Sequence, residues 1–241
     1  MDTIKIDKTN VRTKIIAHRG CSGLERENTN AAFVAAGQRS YYGIETDIHI
    51  TADGKFIVFH DDDLKRLCGV DKIVEECTFE ELRQYRMTDL DDKTLRGDLC
   101  MPSLEEYISI CKKYEKQAVL ELKNPMPAEK VGELVEIIKA LGWYERTTFI
   151  SFDRGNLLAL REKYADADIQ YLSYTCTEEE VAFMKAHRFD ADLCGYCLCP
   201  EVVDACRKEG IKVNVWTVDL VEQWEMAKLL DLDFMTSNIL E

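Results

Sequence analysis

"AVLELKNPMPAEKVGELVEIIKALGWYERTTFISF", residues 118–152, decides the fold. Two short apolar runs, "AVLELK" at 118 and "TTFISF" at 147, flank an amphipathic stretch that stops at Gly142. Strand, helix and strand in that order form a unit of parallel sheet. The same alternation extends both ways. Further strands are predicted at "KIIAH" (14), "GIETDI" (43), "IQYLSY" (169), "ADLCGY" (191), "KVNVWTV" (212) and "DFMTS" (233). Helical patterns separate them, among them "NTNAAFVAAGQRS", Ser-capped "SLEEYISICKKY", "TEEEVAFMKAH" and "LVEQWEMAKLL". Eight strands and seven helices predict an α/β fold, a (β/α)8 TIM barrel spanning 1–241 as one domain. The eighth helix is expected to be missing or vestigial, with the N-terminal residues covering its place.

"IETDIHITADGKFIVFHD", residues 44–61, departs from the alternation. Asp53-Gly54 is a two-residue hairpin signal. Pairing outward from it sets Thr51 against Phe56 and Asp47 against His60. Glu45, Asp47 and His60 then share one face, while Ile44, Ile48, Ile50, Ile57 and Phe59 share the other. Residues 61–100 read as a charged insertion capping the barrel mouth.

In "AVLELK" and the Lys that ends it, Val119, Glu121 and Lys123 point one way. Charge on a barrel's inner face is tolerated near the C-terminal rim. Glu45, Asp47 and Glu121 would converge there, and crowded carboxylates resist joint ionisation unless a cation joins them. An all-oxygen set suits one hard divalent ion, Mg²⁺ or Ca²⁺. The competing reading pairs Glu121 with Lys123 alone. His18 and Arg19 end the first strand at the same rim. Two imidazoles, an Arg and a Lys beside a metal nest suit phosphodiester cleavage, with the histidines as acid and base and the guanidinium on phosphate.

Composition narrows the partners. Net charge is −14, which disfavours nucleic acid and stable association with anionic membranes. "MDTIKIDKTN" lacks a signal-peptide core, so the expected location is cytoplasmic and the ten cysteines are expected reduced. "CGYCLC" (194–199) has zinc-like spacing, but the expected role is strand packing by small apolar thiols.

Taken together, "HRG…ENT" (18–29), "IETDIHITADGKFIVFHD", "LELK" (120–123), "SF" (151–152) and "VWTV" (215–218) resemble the glycerophosphodiester phosphodiesterase family over nearly the whole chain. The resemblance implies hydrolysis of a small glycerophosphodiester to glycerol 3-phosphate and an alcohol. It implies His18 and His60 as the acid/base pair and Glu45, Asp47 and Glu121 as metal ligands. Arg19 and Lys123 would bind phosphate, Trp216 would line the alcohol pocket, and the insertion would shape substrate entry. A lysophospholipase-D-like or cyclising enzyme acting on a lipid, and a non-catalytic phosphodiester-binding barrel, are the alternatives. Three departures stand out. Arg26 replaces a usual Pro and adds a charge near the site. Where the family tends to read "TD" and then a Pro, this chain has Thr236, Ser237 and Asn238, so an acid at the pocket wall is missing. His49 is expected one layer below the acids.

Overall fold

The computed structural model describes residues 2–241. Nine strands run β1 Lys14–Ala17, β2 Gly43–Ile50, β3 Phe56–Val58, β4 Gln117–Leu122, β5 Thr147–Ser151, β6 Asp168–Ser173, β7 Asp190–Cys194, β8 Val213–Trp216 and β9 Phe234–Ser237. Seven helices alternate with the barrel strands: Asn30–Gly37 (α1), Leu104–Lys113 (α4), Ala128–Ala140 (α5), Arg154–Lys163 (α6), Glu178–His187 (α7), Pro200–Lys208 (α8) and Val221–Leu229 (α9). Two short helices, Lys65–Cys68 (α2) and Phe79–Leu82 (α3), belong to the insertion. None of the described helices is long and apolar enough to cross a membrane.

All strands but β3 are parallel, in the order β8-β7-β6-β5-β4-β2-β1-β9. The two ends meet through Asp233 N–H to the Val213 carbonyl (3.2 Å) and Val218 N–H to the Thr236 carbonyl (3.0 Å), closing the barrel. No helix follows β9 among the described residues. Instead residues 239–241 pair with the N-terminal segment, Ile4 bridging Leu240, as the sequence led one to expect.

Alternation places the side chains. Ile44, Ile48, Leu120 and Leu122 face outward into the core shared with the helices. Ile16, Val119, Ile150 and Leu172 form an apolar layer inside the barrel. The inward residues nearer the C-terminal rim are then free to be polar, and that rim carries the site.

Two expectations are corrected here. The hairpin register is shifted by one: Ile50 pairs with Phe56 and Ile48 with Val58, so Asp47 lies opposite Phe59 and not His60. The turn is a three-residue loop, 52–54, because Thr51 N–H bonds the Lys55 carbonyl while Asp53 turns away to accept from Phe79 N–H. The apolar face therefore splits. Phe56 and Val58 join the barrel core, whereas Ile57 and Phe59 join the insertion's own cluster with Leu64, Leu67 and Val74. In "CGYCLC" only Cys194 is on a strand; Gly195–Cys197 form a 3-10 turn, with the Cys197 thiol on the Cys194 carbonyl, and Cys199 precedes α8. The Gly in that run breaks the extended backbone, so strand packing accounts for one of the three thiols.

Candidate active site

The loop after β1 is built to aim groups at the barrel axis. His18 N–H continues the ladder to Ser237 (2.9 Å). Arg19 then takes a left-handed conformation (φ 53°) that turns its N–H onto Glu45 Oε2 at 2.7 Å. Gly20 follows at φ 79°, and a Cβ there would lie 2.7 Å from the backbone of Ala32. Only glycine serves at this point. Asn28 closes the loop on the Arg19 carbonyl (3.0 Å), and its amide donates to Asp47 Oδ2 at 2.7 Å. Thr29 then caps α1 through its side chain.

Glu45 and Asp47 lie on β2 and Glu121 on β4, where the register sets Glu121 beside Asp47. Each is buried, and one oxygen from each lies within 4.8 Å of the others, the one such group among the described residues. Burial first, then the charge of Asp47, raises the carboxyl of Glu45 well above its ordinary range and that of Glu121 to about 8. For Asp47 burial pushes upward too, but Arg19, Lys123 and His60 outweigh it and hold the group ionised. Asp47 Oδ1 and Glu121 Oε1 make no well-formed hydrogen bond. Lys123 Nζ does stand 2.9 Å from Glu121 Oε1 and 3.5 Å from Asp47 Oδ1. The pairing of Glu121 with Lys123 and the clustering of the acids are thus both present. Three buried carboxylates within reach of one another, with one ammonium shared between two of them, fit a hard cation.

Arg19 Nε approaches Asp47 Oδ2 at 3.5 Å, and its NH1 bonds Glu27 at 2.7 Å. His60 sits just past β3, close enough to act on the charge of Asp47 despite the shifted register. Its Nδ1 meets Asp61 Oδ1 at 2.7 Å. Arg66 of α2 bonds both Asp61 (2.6 and 2.9 Å) and Glu27 (2.7 and 2.9 Å). A continuous chain, His60–Asp61–Arg66–Glu27–Arg19, therefore joins the insertion to the loop after β1. Burial opposes ionisation of Glu27, but Arg66 and Arg19 prevail and bring it down to about 2.

Trp216 ends β8 across the mouth, its indole N–H on the Asp192 carbonyl (3.2 Å). It meets Phe152 and Tyr174 edge-on, at 5.8 and 5.4 Å between centroids, and those two stack at 5.0 Å. The mouth thus has an ionic side and an aromatic side.

The three departures read differently in space. Arg26 is buried; it bonds the carbonyls of Thr88 and Asp89 and the side chain of Asp92, tethering the insertion without charging the site. His49 follows the acids along β2 toward the rim; it lies above them, held between Glu75 and the His60 carbonyl. The place left by the usual C-terminal acid is not without a carboxylate, because Asp219 stands behind Asn238 at 2.5 Å.

Sequence reasoning passed over Glu27, Asn28, Asp61, Arg66, Tyr174 and Asp219. Asp61 directly follows His60, and Glu27 and Asn28 sit inside "ENT", so those three had a local signal. Arg66 and Asp219 had none, since their partners are distant in sequence.

The barrel agrees with the structures of relatives. The chain matches the Glycerophosphoryl diester phosphodiesterase family over residues 18–238 and belongs to it. It is 29% identical to the glycerophosphodiester phosphodiesterase of Caldanaerobacter subterraneus over 222 residues, 89% of each chain. A glycerophosphodiester phosphodiesterase structure from Parabacteroides distasonis superposes with a TM-score of 0.79 at 27% identity, covering 95% of this chain and 93% of that one. An Oleispira antarctica phosphodiesterase in complex with sn-glycerol-3-phosphate shares the fold at TM-score 0.82 and 22% identity, covering 93% and 92%. The enzyme class is accordingly glycerophosphodiester phosphodiesterase.

Proposed function

We propose that this enzyme hydrolyses small glycerophosphodiesters to glycerol 3-phosphate and an alcohol, using one hard divalent ion held by Glu45, Asp47 and Glu121. The observation that carries the reading is the buried carboxylate cluster, two of whose oxygens lack a well-formed hydrogen bond, flanked by Arg19, Lys123 and two histidines. When bound, Mg²⁺ or Ca²⁺ supplies Lewis-acid polarisation of the phosphoryl group and neutralises the acids. Arg19 and Lys123 bind non-bridging phosphate oxygens, a role suited to their charge at the mouth. Trp216, with Phe152 and Tyr174 behind it, lines the pocket for the alcohol. The insertion of residues 61–100 shapes substrate entry.

His18 and His60 move the protons. One takes a proton from the attacking hydroxyl as its oxygen bonds to phosphorus. The other gives a proton to the departing alkoxide as the phosphorus–oxygen bond to the alcohol breaks. Although part of His18 still meets solvent, desolvation by the surrounding protein, with Arg19 adding to it, lowers its pKa to about 4. That favours a neutral imidazole at pH 7 and supports its service as the base. The Asp61 carboxylate on His60 Nδ1 orients the ring and supports its service as the acid.

The test is release of glycerol 3-phosphate from glycerophosphocholine, glycerophosphoethanolamine and glycerophosphoglycerol, with chelator and after return of Mg²⁺ or Ca²⁺. The proposal expects turnover of at least one diester, loss on chelation and recovery with a hard ion. Full turnover by chelated protein sinks the metal assignment; no release from any diester sinks the substrate class.

A further inference from the structure

Asn238 occupies an unusual position. Its Oδ1 lies 2.8 Å from His18 Nδ1 and 2.6 Å from the Ser22 hydroxyl. Its Nδ2 lies 2.5 Å from Asp219 Oδ2. Asp219 is itself fixed by two more donors, Asn238 N–H at 2.7 Å and the Ser237 hydroxyl at 3.0 Å, both on Oδ1. An ionised carboxylate can only accept. The amide group of Asn238 must therefore turn its NH₂ toward Asp219 and its oxygen toward His18. That oxygen also can only accept, so the nitrogen of His18 facing it must carry the hydrogen. The lone pair of a neutral His18 is then on Nε2, for which no described residue provides a hydrogen-bond partner.

We infer that Asp219 is a positioning residue that acts through Asn238 to hold His18 as its Nδ1–H tautomer, keeping Nε2 available as a base. The inference rests on the base role proposed above for His18, but its structural half stands apart from turnover. Neither Asp219 nor Asn238 touches the acid cluster through a hydrogen bond. The charged groups that act on His18 are Arg19, Asp47 and Asp219. A carboxylate set one residue back gives the orientation of a direct carboxylate partner while keeping its charge away from the imidazole. This differs from the arrangement at His60, where Asp61 contacts the ring itself.

The experiment combines long-range ¹H–¹⁵N correlation of the histidine rings with steady-state kinetics. In the parent protein His18 is expected as Nδ1–H. Asp219→Asn replaces a pure acceptor by a group that can also donate, so Asn238 is freed to rotate. The Nε2–H form is then expected to appear, with kcat falling about 10²-fold and KM nearly unchanged. The exchange Asp219→Asn/Asn238→Asp puts an acceptor against His18 again and a donor behind it. It is expected to restore the Nδ1–H form and most of kcat. An Nε2–H tautomer in the parent overturns the inference. So does an Asp219→Asn protein with parental tautomer and kcat, or a double exchange no better than the single change. If Asp219→Asn does not fold, the parent spectrum alone still decides the tautomer. If the parent hydrolyses no glycerophosphodiester, the proposed function fails while the tautomer remains a separate result.

Discussion

Arg66 Nε lies 2.6 Å from Asp61 Oδ2, and through that contact a helix of the insertion supports the carboxylate that holds His60. The same guanidinium grips Glu27, which in turn holds Arg19. Arg66 is half exposed, so solvent screens the pair and its worth is modest. Arg66→Ala is expected to lower kcat/KM about fivefold, equivalent to ~1 kcal/mol, with melting temperature little changed. The parent's advantage should shrink as salt rises, because the link is ionic. A variant with parental kinetics at low salt would show that the insertion does not support the histidine.

Loss of His60 and loss of a carboxylate should separate in binding measurements. His60→Ala removes a proton-transfer group worth about 10²–10⁴ in rate, yet removes no proposed ligand. Its metal affinity, read by calorimetry, should stay close to parental. Glu45→Gln should weaken metal binding first and lose turnover as a result. The reverse pattern would move His60 into the coordination shell.

The acids make the metal-free protein sensitive to alkali. Glu121, with an ordinary value of 4.5, is raised to about 8, and Glu45 is raised as well. A carboxyl whose folded value is raised favours folding below its unfolded value, and that advantage disappears as pH climbs through the folded value. Chelated protein should therefore lose melting temperature from pH 5 to pH 8. Added Mg²⁺ or Ca²⁺ should raise it more at pH 8 than at pH 5, because ligation expels fewer protons there. Asp47, held low, is ionised throughout this window and contributes no slope. A flat or rising profile in the chelated protein would contradict the burial of the cluster.

Gly20→Ala tests the loop that carries His18 and Arg19. Left-handed backbone and a Cβ 2.7 Å from Ala32 should together cost about 1–3 kcal/mol, read as a lower denaturant midpoint. Turnover should fall too, since the Arg19 N–H to Glu45 contact shares that turn.

The legible parts of this molecule were those with a local period. Glu45, Asp47 and Glu121 could be brought together from alternation along two strands, because alternation is a property of each strand by itself. The hairpin register could not. Its turn looks like a two-residue type from Asp53-Gly54, but Asp53 is drawn away by Phe79 N–H and Ala52 N–H by the Cys77 carbonyl. These contacts come from some 25 residues on. His60 reached the right neighbourhood because the strand ends at Val58 and the following backbone is irregular. Arg26 shows the opposite failure. Its charge was legible, but the carbonyls and the Asp92 carboxylate that receive it were not. Asn238 looked like a deficit until Asp219 was found behind it.

Alternate residues of β3 serve two interiors: Phe56 and Val58 lie in the barrel core, while Ile57 and Phe59 lie in the cluster beneath the insertion. Three or four residues of extended chain are thus common property of both bodies. Neither can melt while the other keeps that strand, so the pair should behave as a single cooperative foldon. Amides of the insertion ought then to exchange with deuterium at the pace of the barrel, and a cation gripped by the barrel acids should slow both alike.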